Sequence, residues 1–169
     1  IVAIHIVDEN TILISDYVPG GKGKIYKSTD YGETFSSVYE TSNNDEYVWR
    51  FSFDEENDTI YAGMRGCGNM LKSTDDGATW ANDATTFKTA SRVVKLSDAD
   101  GTEYLFVGAS DTADSDHGKI WRKELPSGSW TEVYDTAAVR QIMAVTGYGN
   151  TLLMGISGTS VPSDSTIER

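Results

Sequence analysis

One segment of this chain occurs three times, the third time in a degraded form. Residues 23–35 recur as residues 68–80, and both copies contain Ser-Thr-Asp-x-Gly-x-Thr followed by an aromatic residue. Residues 118–130 retain only the start and the end of the segment. A basic residue recurs at positions 27, 72 and 122, in steps of 45 and 50 residues. A repeat of this length predicts an array of small supersecondary units that share a core.

Each unit has the pattern of four short strands joined by tight turns. In the second unit, residues 47–53 alternate so that Trp49, Phe51 and Phe53 share one face, which is typical of a strand. An acidic turn at residues 54–58 follows, and no segment of the chain has a sustained helical period. Short strands, turns rich in Gly, Asp and Asn, and a period near 47 residues predict an all-β fold. The fold expected is a β-propeller of four-stranded antiparallel blades.

The repeat predicts a single partial propeller domain over residues 1–169. Its blades are expected at roughly residues 1–40, 45–85 and 90–135, with a partial blade at residues 138–169. Propellers usually need about four to eight blades to close, so the ring is expected to be incomplete. Two explanations stay open: the chain is part of a larger propeller, or several copies complete a ring between them.

The charge balance excludes several classes of partner. Lysine and arginine number 14 against 26 acidic residues, which leaves a net charge of −12. Nucleic-acid binding needs a basic surface that displaces counterions, so no nucleic-acid partner is expected. No apolar run approaches the roughly 20 residues of a membrane-spanning helix, so no membrane insertion is expected.

The one cysteine, Cys67, cannot form an internal disulfide and excludes a cysteine-based zinc site.

The two complete copies of the segment carry a specific motif. Ser28-Thr29-Asp30-Tyr31-Gly32-Glu33-Thr34-Phe35 and Ser73-Thr74-Asp75-Asp76-Gly77-Ala78-Thr79-Trp80, here named the first and second box turns, closely resemble the Asp-box, or BNR repeat. The Asp-box occurs in sialidases, in the sortilin family, in xyloglucan-cleaving glycosidases and in photosystem assembly factors. The resemblance covers the whole chain as blade repeats and implies an Asp-box propeller. The third copy departs from the motif, because Leu125 stands where Asp is expected.

The motif is expected to act locally. Its carboxylate can accept backbone N–H bonds across its own turn, its serine hydroxyl can add to them, and its glycine can adopt a positive φ. The closing aromatic residues, Phe35, Trp80 and Trp130, are expected to be buried under the hairpin or between blades. In the families that the motif resembles, the box lies on the rim, away from the active site. The resemblance therefore implies a structural role for Ser28, Asp30, Gly32, Phe35, Ser73, Asp75, Gly77 and Trp80.

Three arginines early in the inner strands are the candidates for ligand binding. If Arg50, Arg92 and Arg140 converged, they could hold a carboxylate in bidentate fashion, as the arginine triad of sialidases does. Counted back from an apolar anchor in each strand, they lie three, four and five residues away, which predicts that they do not share one face. The Arg-Ile-Pro segment typical of sialidases is also absent.

No catalytic or metal site stands out. Acidic residues occur in almost every turn, so no pair of carboxylates is singled out for glycoside hydrolysis. Residues 111–117 contain three aspartates and His117, which could bind a hard cation, but the spacing matches no EF-hand and a solvated loop is the simpler interpretation. No metal and no cofactor are expected. His5, between Ile4 and Ile6, is expected to be a hydrogen-bonded core imidazole.

Two functions remain open from the sequence. The favoured one is a non-catalytic propeller module that binds a glycan or a protein, within a larger surface or secreted protein. The alternative is a sialidase-like or xyloglucanase-like glycoside hydrolase whose catalytic residues lie partly outside this chain. Because propellers host both functions, the absence of a complete catalytic constellation favours the binding module. An extracellular or cell-surface location and association through open blade edges are expected.

Overall fold

The described part of the chain is built of β-strands. A computed structural model describes residues 1–66, 69–84, 87–111, 117–136, 140–148 and 151–158, and no helix occurs among them. The strands are β1 (Ala3–Ile6), β2 (Ile12–Ser15), β3 (Lys24–Ser28), β4 (Ser36–Glu40), β5 (Tyr47–Asp54), β6 (Thr59–Arg65), β7 (Met70–Ser73), β8 (Ala81–Ala84), β9 (Phe87–Ser97), β10 (Glu103–Asp111), β11 (Gly118–Glu124), β12 (Thr131–Asp135), β13 (Arg140–Tyr148) and β14 (Thr151–Gly158).

The strands form antiparallel sheets in which neighbours in sequence are neighbours in space. The first unit, β1–β4, is a four-stranded sheet in the order of the chain. The second unit, β5–β8, and the third unit, β9–β12, repeat that order and are joined through one pairing between Arg65 and Thr89. Strands β13 and β14 form a separate hairpin. The predicted all-β fold of four-stranded antiparallel sheets is confirmed.

Three apolar cores lie between successive units. The first core lies between the first and second units, the second between the second and third units, and the third between the third unit and β13–β14. The buried members are Leu13, Ile25, Val48, Ile60, Ala62, Met64 and Leu71 in the first core, Tyr61, Met70, Val93, Leu105, Val107 and Ala109 in the second, and Ile120, Ile142 and Val145 in the third. The units are therefore stacked face to face.

Burial of a strand depends on how many of its faces another unit covers. Successive residues of a strand point to opposite faces of the sheet. In β6, residues 59–64 are all buried, because the first unit covers one face and the third unit covers the other. In β2, Leu13 and Ser15 are buried but Ile12 and Ile14 are only half-buried. Among the described residues, no strand covers the side of the first unit that faces away from the second unit.

Antiparallel order also separates the connections of the first two units into two sets. The β1–β2, β3–β4, β5–β6 and β7–β8 connections lie at one end of their sheets, here named the box end because it carries both box turns. The β2–β3, β4–β5 and β6–β7 connections lie at the opposite end, the loop end. Within the described ranges, no helix is long and apolar enough to span a bilayer.

Candidate functional site

The two box turns share one hydrogen-bond network. In the second box turn, Asp75 Oδ1 accepts bonds from the Ser73 hydroxyl at 2.7 Å and from the Thr79 amide at 2.9 Å, and Asp75 Oδ2 accepts one from the Thr79 hydroxyl at 2.5 Å. In the first box turn, Asp30 accepts the equivalent three bonds at 2.7, 2.9 and 2.5 Å. Each carboxylate is thus engaged within its own turn.

These bonds favour the ionised carboxylates. The Thr34 hydroxyl and amide, followed by the Ser28 hydroxyl, lower the pKa of Asp30 to about 2. In the second box turn the Ser73 hydroxyl, followed by the two Thr79 bonds, lowers the pKa of Asp75 to about 2. A general acid that works near neutral pH needs a raised pKa instead. The chemistry of both groups therefore suits turn stabilisation better than proton transfer.

The backbone of each box turn is left-handed at two successive residues. In the second box turn, φ is 55° at Asp76 and 78° at Gly77. Gly77 also lies against the first unit, because a Cβ added there would stand 2.6 Å from Leu13 Cδ1. Glycine is needed at position 77 for its φ and for this close approach. The second box turn therefore reaches across to the unit that precedes it.

The three closing aromatic residues are placed unequally. Trp80 packs into the first core, with its ring centroid 6.0 Å from that of Phe51, and its Nε1 donates to the Gly77 carbonyl at 3.1 Å. Trp130 packs against the second core. Phe35 is 39% exposed, so the expectation that it is buried is wrong. Trp80 and Trp130 each pack on the preceding unit, whereas no described strand precedes the first unit.

The third copy replaces the box chemistry with an ion pair between units. Lys123, at the position of Ser28 and Ser73 in the repeat, is buried and places its Nζ 2.7 Å from Asp83 Oδ1 on the second unit. Trp130 Nε1 donates to the other oxygen of Asp83 at 2.8 Å. No local pattern in the sequence signals this contact, because the partners lie 40 and 47 residues apart.

Two of the three candidate arginines occupy equivalent backbone positions. Arg50 pairs with Gly63 at a register shift in β5, and Arg92 lies in a register shift of β9, opposite Gly108. Gly63 pairs with Met70 of β7, and Gly108 pairs with Ile120 of β11; Met70 and Ile120 occupy the same position in the repeat. The expectation that these two registers differ is therefore wrong. From the arginine to the last paired residue before the turn, β9 is one residue longer than β5, so the apolar residues Phe53 and Leu96 that served as anchors are not equivalent. Arg140, at the start of β13, holds a different position.

The bulge in β5 brings two neighbouring side chains to one cavity. In a regular strand Trp49 and Arg50 would point to opposite faces, but the extra residue at position 49 breaks that alternation. Both residues line a cavity of about 460 Å³, together with Phe51 and residues 2–4 of the first unit. Arg50 is exposed. The glycine opposite the bulge, Gly63, is the sequence signal that could have revealed it, since glycine within a strand often marks a bulge.

Aromatic and charged side chains cluster beside this cavity at the loop end. The Tyr47 ring lies 4.5 Å from that of Tyr17 and 6.1 Å from that of Trp49. The Arg65 guanidinium stacks 5.3 Å from the centroid of the Trp49 ring. The Tyr17 hydroxyl donates to Asp45 Oδ1 at 3.0 Å, which ties the β2–β3 connection to the β4–β5 connection. Aromatic rings with a few fixed polar groups are typical of ligand sites.

Other candidate sites have less support or lie outside the described residues. Residues 112–116 and Cys67 lie outside the described residues. Arg92 and Arg140 are described by their backbone, and their side chains lie outside the description. His117 Nδ1 lies 3.3 Å from Asp135 Oδ1. Within the described ranges, no group of three His, Cys, Asp or Glu side chains could hold a metal ion.

Acidic residues of the second and third units meet at a lysine. Lys95 Nζ lies 3.2 Å from Asp54 Oδ1 and 3.1 Å from Glu103 Oε1, and it also contacts Glu56. A cation thus occupies the centre of this group, which differs from a pair of carboxylates that flank an open scissile bond.

Comparison with known proteins identifies the architecture. No family model matches the chain. A xyloglucanase of a Paenibacillus species is 26% identical in a match of 155 residues. The match covers 76% of this chain and 15% of the xyloglucanase. The solved GH74 enzyme of Niastella koreensis superposes with a TM-score of 0.52 at 25% identity, over 74% of this chain and 19% of that enzyme. A chain of the nidogen/laminin complex superposes with a TM-score of 0.55 at 11% identity, over 91% and 71% of the two chains.

The matched folds are β-propellers, and the stacked four-stranded sheets agree with them. The chain is a partial β-propeller. Its fold is that of glycoside-hydrolase-like propellers, and the ring is incomplete. The propeller spans only about a seventh of the length of the xyloglucanase that it resembles, as the 15% coverage shows.

Proposed function

We propose that this partial propeller binds a glycan in the cavity between β1 and β5 and does not itself catalyse glycoside cleavage. The observation that carries the proposal is the bulge that brings Trp49 and Arg50 to one cavity. The face of an aromatic ring packs well against the C–H face of a pyranose, and a guanidinium can donate to its hydroxyl oxygens. The similarity to a xyloglucanase supports a neutral β-glucan chain as the ligand.

The positions of the box turns are consistent with this assignment. They lie at the box end, whereas the aromatic cluster of Tyr17, Tyr47 and Trp49 lies at the loop end. Asp30 and Asp75 are taken as structural groups that hold the β3–β4 and β7–β8 connections.

The four parts of the chain are taken as blades at roughly residues 1–40, 45–85, 90–135 and 138–169, in agreement with the repeat period. An extracellular or cell-surface location fits a glycan ligand.

Binding of a xyloglucan oligosaccharide, measured by isothermal titration calorimetry, tests the proposal. We expect Trp49→Ala and Arg50→Ala each to weaken binding at least about tenfold, because each removes a side chain from the cavity. Arg122→Ala is the matched control: Arg122 is also an exposed arginine, stacked 4.6 Å from the Tyr104 ring on the third unit. Unchanged affinity in Trp49→Ala would contradict the proposal.

A glycoside hydrolase is the second candidate, and the similarity to the Paenibacillus xyloglucanase favours it. In that case the catalytic carboxylates lie partly outside this chain. Release of reducing sugar from xyloglucan by the 169-residue chain would contradict the non-catalytic assignment. Binding without release would support it.

A further inference from the structure

The cavity between β1 and β5 is small for a polysaccharide chain. Its volume of about 460 Å³ lies in the lower part of the range for ligand pockets, about 300–1,000 Å³, and holds only a few pyranose rings. A longer chain bound there must continue over a neighbouring surface. Val2, which lines the cavity, donates its amide to the Ser15 carbonyl at 2.8 Å, and Tyr17 follows Ser15 by two residues. Tyr17 therefore lies beside the cavity, just beyond the end of β2.

Tyr17 presents an exposed ring next to the aromatic side chains of the second unit. It is 39% exposed, and its ring centroid lies 4.5 Å from that of Tyr47, which in turn lies 6.1 Å from that of Trp49. Trp49 itself lines the cavity. A series of ring contacts thus joins the cavity to the surface of the loop end. A tyrosine ring has an apolar face and a polar tip, which suits the C–H and hydroxyl groups of a sugar.

Arg65 lies near both ends of this series of rings. Its guanidinium stacks on Trp49, 5.3 Å from the ring centroid. The pKa of Tyr17 is raised, chiefly by its hydrogen bond to Asp45, and the positive charge of Arg65 partly opposes that rise. Arg65 is exposed, and a guanidinium carries several N–H donors in one plane, so it can bond the hydroxyl oxygens of a sugar. The surface between Trp49 and Tyr17 is therefore polar as well as aromatic.

The exposed Tyr17 ring is held in place by the loops around it. Its hydroxyl donates to Asp45 Oδ1 at 3.0 Å, and the Gly20 amide donates to the same oxygen at 2.8 Å. The Asp45 amide donates to the Gly21 carbonyl at 2.8 Å. A Cβ added at Gly66 would stand 2.6 Å from the Asp45 carbonyl oxygen, so the β6–β7 connection packs against the same residue. Three connections of the loop end meet at Asp45, and a ring fixed in this way loses little conformational entropy when a ligand binds.

We propose that Tyr17 forms a second sugar-binding position, which holds the part of a neutral β-glucan chain that extends beyond the cavity. This inference rests on the proposed function, because it names where the chain continues once the cavity is filled. The Tyr17 ring packs against the C–H face of a pyranose, and Arg65 donates to hydroxyl oxygens of the sugars between Tyr17 and Trp49. The protein therefore binds long oligosaccharides in preference to short ones.

Titration of the 169-residue chain with cellotriose and cellohexaose, two neutral β-glucan chains of different length, tests the second position. We expect the wild type to bind cellohexaose at least about tenfold more tightly than cellotriose. Tyr17→Ala should weaken cellohexaose binding about tenfold and leave cellotriose binding unchanged, which also verifies that the cavity is intact. Tyr17→Phe keeps the ring and should retain the preference. Tyr31→Ala is the matched control, because Tyr31 is a tyrosine of the first box turn that is 68% exposed.

The outcomes separate the second position from the cavity. A wild-type preference for cellohexaose of about fourfold or less, which the additional registers of the longer chain explain, would overturn the second position. A Tyr17→Ala variant that loses the same factor for both oligosaccharides would also overturn it, because the loss would then reflect damage to the cavity. Failure of cellohexaose to bind would have the same consequence. None of these results decides binding in the cavity, which the titration of Trp49→Ala with a xyloglucan oligosaccharide tests separately.

Discussion

At the scale of single residues, the surroundings of His5 do not suit a charged imidazole. Its Nε2 is buried and has no hydrogen-bond partner in the described part of the chain. Its ring lies 6.2 Å from the Phe51 ring and 5.8 Å from the Phe53 ring, between the first and second units. Burial lowers the pKa of His5, because the charged form loses hydration there. The expectation of a hydrogen-bonded imidazole is wrong for this nitrogen.

We predict that His5→Phe stabilises the protein at mildly acidic pH. Because the folded-state pKa is lowered, the unfolded chain binds a proton below about pH 6.5 that the folded chain does not, and the wild type loses stability as the pH falls. Phenylalanine removes both this titration and the unpaired nitrogen. Urea denaturation should show a gain of about 1 kcal/mol near pH 5 and a smaller gain near pH 8. A loss of stability near pH 5 would contradict this account.

The Asp75 carboxylate of the second box turn makes the stability of the protein depend on pH in a lower pH range than His5 does. The pKa of Asp75 falls from 3.8 to about 2, so its bonds contribute stability that is complete above about pH 4 and lost as the pH falls towards 2. Asp75→Asn cannot accept the Thr79 hydroxyl bond at the same atom, and we expect its Tm near pH 7 to fall by about 4 °C. The difference from the wild type should shrink near pH 2, as measured by calorimetry. Asp76→Asn, an exposed neighbour, is the control.

At the scale of elements, the second box turn depends on close contact with another unit. Gly77 and Gly101 have similar φ values of 78° and 82°, but an added Cβ would clash with Leu13 only at Gly77, since Gly101 has open space around it. We predict that Gly101→Ala lowers the free energy of unfolding by about 1 kcal/mol and Gly77→Ala by about 3 kcal/mol. Chemical denaturation measures both, and equal losses would exclude a role for the contact with Leu13.

The contact that replaces the third box turn is also open to test. Lys123 and Asp83 are 10% and 4% exposed, so removal of Asp83 leaves the Lys123 ammonium buried without the carboxylate of its ion pair. We predict that Asp83→Ala lowers the free energy of unfolding by about 3 kcal/mol in urea denaturation. Asp100→Ala, at an exposed turn position, should change it by less than about 0.5 kcal/mol. A neutral Asp83→Ala would show that the ion pair does not hold the units together.

At the scale of the whole molecule, position in the stack decides which repeated residue is buried. Trp80 and Phe35 close equivalent turns, yet Trp80 enters the first core and Phe35 is 39% exposed. The difference does not arise from the aspartate hydrogen bonds, which match in the two turns. It arises because the second unit lies against the first, whereas no described sheet lies in front of the first. Substitutions at equivalent positions will therefore differ in cost between units.

The fold could be predicted from the repeat, but the candidate site could be predicted only in part. The place of Arg50 early in an inner strand makes it a candidate, but regular alternation puts Trp49 on the opposite face of the strand, together with Phe51 and Phe53. A regular alternation was assumed, and the bulge opposite Gly63 breaks it. The equivalence of Arg50 and Arg92 is likewise hidden in the sequence, because β9 continues one residue further beyond its arginine than β5 does before the turn.

By itself, the sequence determined the units, their strands and their turns, because alternation of side chains and turn chemistry act between residues close in the chain. Only the tertiary structure decided that Lys123 meets Asp83, that Phe35 is exposed, and that Trp49 and Arg50 share a cavity. Each of these depends on how one sheet lies against another or on a register shift between strands. Such contacts join residues that are distant in sequence and leave no periodic pattern in it.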